Sequence, residues 1–233
     1  MTPPNRPFWR SHPSSHSPSH PFCDRAAAGQ ALGQRLFQQF LRSSPPNSRI
    51  FGLPRGGIPV AYEIALALGV PLDAFLVRKL GVPNQPELAM GAIASGGIHY
   101  LNSHIMGAFQ VSSDALEAVI QQEQQELERR ESLYRQSRPA PVIQGQHIIV
   151  VDDGIATGAS MIVALLALRT QDPRKLTVAV PVAARSSLEK VSAIADDVVC
   201  LICPDPFDSV GQWYLDFTQV SDTAVCDLLM HRC

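Results

Sequence analysis

The run Ile148-Ile-Val-Val-Asp-Asp-Gly-Ile-Ala-Thr-Gly-Ala-Ser160 constrains this chain more than any other segment. Its four opening residues are all apolar and β-branched, and they read as a buried strand. They lead straight into Asp152 and Asp153, then into Gly154-Ile-Ala-Thr-Gly158, and then into an Ala- and Leu-rich helical stretch. A strand that ends in a Gly/Thr loop and opens a helix belongs to an α/β sheet with its ligand site at the strand ends. The loop offers backbone N–H groups and the Thr157 hydroxyl to an anion, and the helix adds the positive end of its dipole. Two carboxylates beside that anion site cannot be there to bind the anion. They accept hydrogen bonds, and the donors next to a sugar phosphate are sugar hydroxyls. A phosphate cradle beside a hydroxyl reader describes a 5-phosphoribosyl group.

The rest of the chain supports the same architecture. Asp24 can cap a helix running to about Leu41, with Ala28, Leu32, Leu36 and Leu41 roughly on one face. Arg49 to Leu53 reads as a strand, Pro54-Arg-Gly-Gly57 as a loop, and Ile58 to Leu68 as a helix ended by Gly69. Leu72 to Val77 reads as a buried strand. Arg78 to Gly91, with two prolines, reads as a long functional loop. Gly96-Gly97 is a hairpin signal between Ala92–Ser95 and Ile98–Leu101. Ser112 or Ser113 caps a polar helix to about Arg135, whose mixed-sign charges at 123–131 form a solvated face. Strands at Gln146–Val151, Leu176–Val182 and Asp197–Cys203 then alternate with helices at Ala159–Arg169 and Ser186–Ala195. This alternation predicts a mainly parallel central sheet flanked by helices.

Several classes of function are disfavoured by the totals. At 233 residues the chain suits one domain, placed at 22–233 behind a Pro/Ser/His-rich tail over 1–21 that reads as disordered. A net charge of −2 and the lack of a basic run give no footprint for nucleic acid. The apolar stretches are strand-sized or amphipathic, so no membrane span is expected. Five irregularly placed cysteines fit a reducing cytoplasm better than a disulfide scaffold. Cys200-Leu-Ile-Cys203 reads as a pair of strand cysteines, since zinc would need Cys226, His231 or Cys233 to complete its ligands. The central motif has no Walker lysine and no GxGxxG, which disfavours triphosphate and dinucleotide cradles.

Three further features could carry chemistry. Phe51-Gly-Leu-Pro-Arg-Gly-Gly57 ends one strand and opens a helix. Its bland reading is an ordinary turn; as an RNA-binding box it is poor, being a single copy on an acidic chain. Arg78-Lys79 ends the next strand, where a pair of snorkelling cations is the competing interpretation. Phe207-Asp-Ser-Val-Gly-Gln-Trp-Tyr-Leu-Asp-Phe217 could stack a flat base through Phe207, Trp213 and Tyr214, or could anchor the C-terminal segment to the core.

Val150 to Ser160 resembles the signature of the type I phosphoribosyltransferases. Phe22 to Leu229 as a whole is similar to a group of stand-alone bacterial members, which share the Leu-Pro-Arg-Gly-Gly loop, the Glu-Leu-Glu-Arg-Arg-Glu helix and the Val-Gly-Gln-Trp-Tyr tail. The resemblance implies the type I phosphoribosyltransferase fold, with a small hood formed by elements at about 80–105 and 204–220. It implies 5-phosphoribosyl-1-pyrophosphate as donor, a small-molecule acceptor of unknown identity with purine-like compounds among the candidates, and Mg2+ as cofactor. Asp152 and Asp153 would bind the ribose hydroxyls, take part in catalysis and touch the metal indirectly. Gly154, Ala156, Thr157, Gly158 and Ala159 would wrap the 5-phosphate. Arg55, Gly56 and Gly57, with a cis peptide expected between Pro54 and Arg55, would face the pyrophosphate together with Arg78 and Lys79. Leu80 to Gly91 would be a flexible flap. Some members carry a catalytic lysine further into that loop; here Lys79 is the candidate. Members of the family are often homodimers.

Two alternatives use the same residues. A regulatory protein could sense the phosphoribosyl ligand without chemistry, although the intact Asp-Asp pair and Arg78-Lys79 favour catalysis. A phosphatase using Asp152 as nucleophile would want an acid two residues on, where Gly154 stands.

Overall fold

A computed structural model describes residues 22–40, 47–135 and 139–230. The expected tail at 1–21 lies outside them. The chain begins with α1 (Arg25–Phe40), β1 (Ser48–Gly52), α2 (Gly57–Leu68) and β2 (Leu72–Ala74). Next come β3 (Val77–Val82), β4 (Gln85–Ala94), β5 (Ile98–Leu101), α3 (Ser103–Ala108) and α4 (Ser113–Arg135). The second half holds β6 (His147–Val151), α5 (Ala159–Arg169), β7 (Lys175–Val182), α6 (Arg185–Ser192) and β8 (Asp197–Ile202). A 3-10 turn (Val210–Trp213) and α7 (Asp222–Met230) complete it.

Five strands form a parallel sheet in the order β2-β1-β6-β7-β8. Alternate residues of each strand feed two cores. Ile149 and Val151 pack with α1, α2 and α7, while Ile148 and Val150 pack with α5 and α6. With both faces covered, the strand sequence is apolar without interruption, as the central motif implied. The order also makes β1 and β6 neighbours whose following helices leave to opposite faces. The crevice at their carboxyl ends is therefore the switch point of the sheet, where such folds bind ligands.

Helix starts follow local chemistry. Asp24 caps α1, its Oδ1 accepting from the Ala27 N–H at 2.8 Å, and Ser112 Oγ accepts from the Ala115 N–H at 3.2 Å before α4. Gly69 ends α2 at φ 62°. Gly29 and Gly33, one turn apart on α1, let it press onto α2. A Cβ at Gly29 would meet Glu63 Cβ and Val60 O at 2.8 Å.

The region after β2 departs from expectation. The strand placed at Leu72 to Val77 breaks after Ala74, and Val77 already belongs to a second sheet, antiparallel in the order β3-β4-β5. Most of the supposed flap, Leu80 to Gly91, is hydrogen-bonded β-ladder with a bulge near Gly81. The connection is a tight turn through Asn84, which takes the left-handed φ of 66° open to asparagine. Two prolines masked the strand signal, but they flank the turn. The Gly96-Gly97 hairpin lies where expected, with both glycines at positive φ. The short α3, capped by Asn102, and α7 carry too little periodicity to stand out in sequence. No helix among the described residues is long and apolar enough to cross a membrane.

One buried titratable group ties the fold to pH. His147 opens β6, is 1% exposed, and lies 2.8 Å from Thr177 Oγ1. Burial, reinforced by Lys175 and Arg174, lowers its pKa to about 4. The unfolded chain binds this proton near pH 6.5, so the contribution is complete above that pH and is lost as pH falls towards 4. Loss of stability over that window amounts to about 3 kcal/mol. Urea unfolding between pH 7 and 4 should show a flatter pH dependence for His147→Asn than for the parent; equal slopes would contradict it.

Candidate active site

The site is built where β1 and β6 end side by side. Parallel register sets Gly52 against Val151, and the Leu53 N–H continues the ladder to Val151 O at 2.9 Å. Each strand then releases one loop. From β1 comes Leu53-Pro-Arg-Gly-Gly57, in which the Pro54–Arg55 peptide is cis. From β6 come Asp152 and Asp153, followed by Gly154 to Gly158.

The two loops touch at the glycines. A Cβ on Gly56 would fall 2.0 Å from Asp153 Oδ2, and a Cβ on Gly57 would fall 2.7 Å from Val151 O and 2.9 Å from Asp152 Cα. A side chain at Gly56 would have to displace the Asp153 carboxylate and one at Gly57 the backbone at 151–152, so the Arg-Gly-Gly sequence suits the loops' close approach. The Gly57 N–H donates to Leu53 O at 3.0 Å and the Ile58 N–H to Arg55 O at 3.2 Å. The N–H groups of Arg55 and Gly56 donate to none of the described residues, which leaves two donors in front of α2.

The second loop is pinned to β7 and α6. The Ile155 N–H donates to Val182 O, the Ala184 N–H donates back to Ile155 O, both at 2.9 Å, and Ser187 Oγ donates to Ala156 O at 2.5 Å. Gly158 precedes α5 at φ 80°, a value that suits glycine. Among the described residues, nothing accepts from the N–H groups of Ala156, Thr157 and Gly158, and Ala156 and Thr157 are exposed. The Ala159 N–H reaches Thr157 Oγ1 at 3.4 Å. Amides left without a protein acceptor ahead of a helix are the kind of group that anions bind.

Between the loops lie the acids. Asp152 Oδ1 accepts from the Asp153 N–H at 2.9 Å. Asp153 Oδ2 accepts from Arg25 Nε at 2.8 Å, and Tyr214 Oη donates to Asp153 O at 2.6 Å. Burial, and then the neighbouring Asp153, push the Asp152 carboxyl well above its ordinary range. Burial also raises Asp153, against the opposing pull of Arg25. Two half-buried carboxylates held in this state have their charge poorly solvated, and hydroxyl donors from a ligand would relieve it.

The remaining candidates are placed unequally. Arg78 donates to Glu123 of α4 at 2.6 Å, so its charge is engaged on that helix. Strand alternation puts Lys79 on the opposite face, the side on which Val77 packs with the core around α5. The Arg55 guanidinium reaches towards α7, 3.9 Å from Asp222, whose carboxylate also accepts from Tyr134 Oη. The loop of Arg55 therefore faces the crevice through its backbone, with the side chain directed away.

Of the three expected stacking aromatics, Tyr214 is 6% exposed and its ring is covered by Phe22 and Phe217 at 5.6 and 5.0 Å. Trp213 packs with Ala28, Val182 and Ile202. Both anchor the C-terminal segment, which was the bland alternative. Phe207 lines a pocket of about 370 Å³ with Ala184, Arg185, Ser186, Glu189 and Asp205. Cys200 is buried in β8, its Sγ donating to Ile202 O, and no group of three or more potential metal ligands occurs among the described residues.

Sequence reasoning missed Arg25, Tyr214 Oη and Ser187. Arg25 stands 128 positions from its partner, with nothing local to mark it beyond the Asp24 cap.

The α/β crevice thus sets two acids beside an Arg-Gly-Gly turn and ahead of a loop whose amides bond to none of the described residues. The sequence pattern of the phosphoribosyl transferase domain matches residues 25–218, and this chain belongs to that family. Two Mycobacterium tuberculosis proteins, each named a putative phosphoribosyl transferase, are 42% identical over 208 residues. That match takes in 89% of this chain but 46% of theirs, so the chain spans about half the length of these relatives. The crystal structure of TT1426 from Thermus thermophilus has the same fold at a TM-score of 0.81 and 38% identity, over 91% of this chain and 99% of that one.

Contact between the loops is open to a direct test. Gly56→Ala should destabilise the parent by about 1–3 kcal/mol through overpacking. In an Asp153→Ala background, where the clashing carboxylate is gone, the same change should cost much less. Equal costs in both backgrounds, by denaturant unfolding, would contradict the contact.

Proposed function

We infer that this chain transfers a 5-phosphoribosyl group from 5-phosphoribosyl-1-pyrophosphate to a small-molecule nucleophile, releasing pyrophosphate. One observation carries this reading: the Arg55-Gly56 turn abuts the Asp152–Asp153 pair, and the chain runs directly from that pair into the Ala156–Gly158 amides, with neither set of amides bonded to the described residues. These are an anion donor set, a hydroxyl acceptor set and a second anion donor set, in the order of the donor's pyrophosphate, ribose and 5-phosphate.

In the reaction, the bond between the anomeric carbon and the pyrophosphate oxygen breaks, and its electron pair leaves with pyrophosphate. A lone pair of the acceptor forms the new bond from the opposite face, with inversion, and the acceptor's proton is released. The amides of Ala156, Thr157 and Gly158, with Gly154 and Ala159 shaping the loop, hold the 5-phosphate. Those of Arg55 and Gly56, brought close by Gly57, face the leaving group. Asp152 and Asp153 fix the ribose and stabilise the positive charge that develops on it. Lys79, on the strand face opposite Arg78, is the cation assigned to the leaving group.

The two carboxylates fit Mg2+, which typically takes one or two such ligands and completes its shell with water and substrate phosphate. When bound, the ion would neutralise pyrophosphate charge, with Asp152 and Asp153 as its nearby protein acids. For the acceptor, the candidate is the pocket beside Phe207, whose lining pairs one aromatic ring with the polar groups of Arg185 and Asp205.

Purines, pyrimidines and simple amines, each supplied with the donor and Mg2+, should reveal one class that releases pyrophosphate in stoichiometric coupling to a ribosylated product. Donor binding without release on any acceptor would favour the sensor alternative, and no donor binding would refute both.

A further inference from the structure

Arg25 is a charged residue at the site that the transfer reaction, as derived above, does not use. It is the first residue of α1, yet its side chain is only 11% exposed. Its guanidinium makes contacts with segments remote in sequence, lying 5.9 Å from the Tyr214 ring centre and closer to three further partners. Nε donates to Asp153 Oδ2 at 2.8 Å, one terminal nitrogen donates to Thr218 O at 2.9 Å, and the planar face lies 3.9 Å from the centre of the Phe217 ring. Phe217 in turn covers Gly211, where a Cβ would meet the ring at 3.0 Å.

The same acid holds the hood by a second route, since Tyr214 Oη donates to Asp153 O. The hood is further bound to the start of α1. The Phe22 N–H donates to Trp213 O, the Leu215 N–H to Phe22 O and the Asp216 N–H to Cys23 O. Residues 22–25, 153 and 213–218 thus form one connected unit, in which Arg25 is the residue that joins the Asp153 carboxylate to Phe217.

Resting on the donor reading above, the geometry points to Arg25 as a positioning residue that orients Asp153 for the ribose and couples donor binding to the ordering of the C-terminal hood. Two physical arguments support this. By taking Oδ2, Arg25 fixes the carboxylate plane and leaves Oδ1 to accept from a hydroxyl. It also cancels one of two adjacent negative charges, so that a polyanionic donor meets one net negative charge there instead of two. A merely structural ion pair would need neither the stacked ring nor a partner at the ribose position. The edge-and-face geometry belongs to a planar guanidinium, and an ammonium cannot reproduce it.

The test is calorimetric titration of Arg25→Ala and Arg25→Lys with 5-phosphoribosyl-1-pyrophosphate and Mg2+, alongside inorganic pyrophosphate and Mg2+. Trp213 emission is followed in a Trp9→Phe background. The parent should bind the donor, and its Trp213 emission should change on binding. Arg25→Ala should bind the donor roughly 10- to 100-fold more weakly, the loss expected for a charge-assisted hydrogen bond. It should bind inorganic pyrophosphate as the parent does and lose the emission change, while Arg25→Lys recovers part of the donor affinity. Donor affinity unchanged in Arg25→Ala would overturn the proposal. So would parallel loss of donor and pyrophosphate binding, which would make Arg25 structural only. A parent that binds pyrophosphate but not the donor would refute the donor reading itself, and this inference with it.

Discussion

Parallel pairing of β1 with β6 is the constraint on which the site depends. Gly52 against Val151 places two strand ends in register, and everything chemical follows from what each strand releases next. One strand releases a turn with two amides that bond to none of the described residues, and the other releases two acids and a Gly/Thr loop. Glycines at 56 and 57 allow the turns to meet, because any side chain there would overlap Asp153 or the backbone at 151–152. The helices then leave to opposite faces and keep the crevice open between them.

This closeness puts the acids under electrostatic pressure. Burial raises the proton affinity of both carboxylates, and the neighbouring Asp153 raises that of Asp152 further. The fold offers little to offset this: one backbone amide for Asp152, and Arg25 for Asp153. A chain selected only for stability would place apolar or neutral residues there. On the proposed reading, acids at this position gain their favourable partners from the hydroxyls of the ribose, which would tie the unfavourable electrostatics to function.

Legibility in the sequence followed the range of the interactions. The parallel sheet was readable because strands buried on both faces are continuously apolar, as at Ile148–Val151 and Leu176–Val182. The loop from Gly154 to Gly158 was readable because it is contiguous and ends in a glycine at positive φ ahead of a helix. The β3–β4 ladder was not, since Pro83 and Pro86 imitate a loop while the pairing partners lie across a tight turn. The pairing of Arg78 was hidden for the same reason: its partner Glu123 is 45 residues away, on a helix whose face could be read only as solvated. Tyr214 looked like a stacking platform because aromatic identity does not say which rings will cover it. Arg25 was invisible because its meaning depends on the folded positions of Asp153, Phe217 and Thr218 together.

The central claim is that the Asp152–Asp153 pair is retained for the ribose and not for the fold. Asp152→Asn tests it most directly, by calorimetry with 5-phosphoribosyl-1-pyrophosphate and Mg2+ and by thermal unfolding of the free protein. The account predicts a loss of donor affinity of roughly 10-fold or more, with a melting temperature equal to or above the parent's because a destabilised charge has been removed. Unchanged affinity, or a free protein that melts well below the parent, would contradict it.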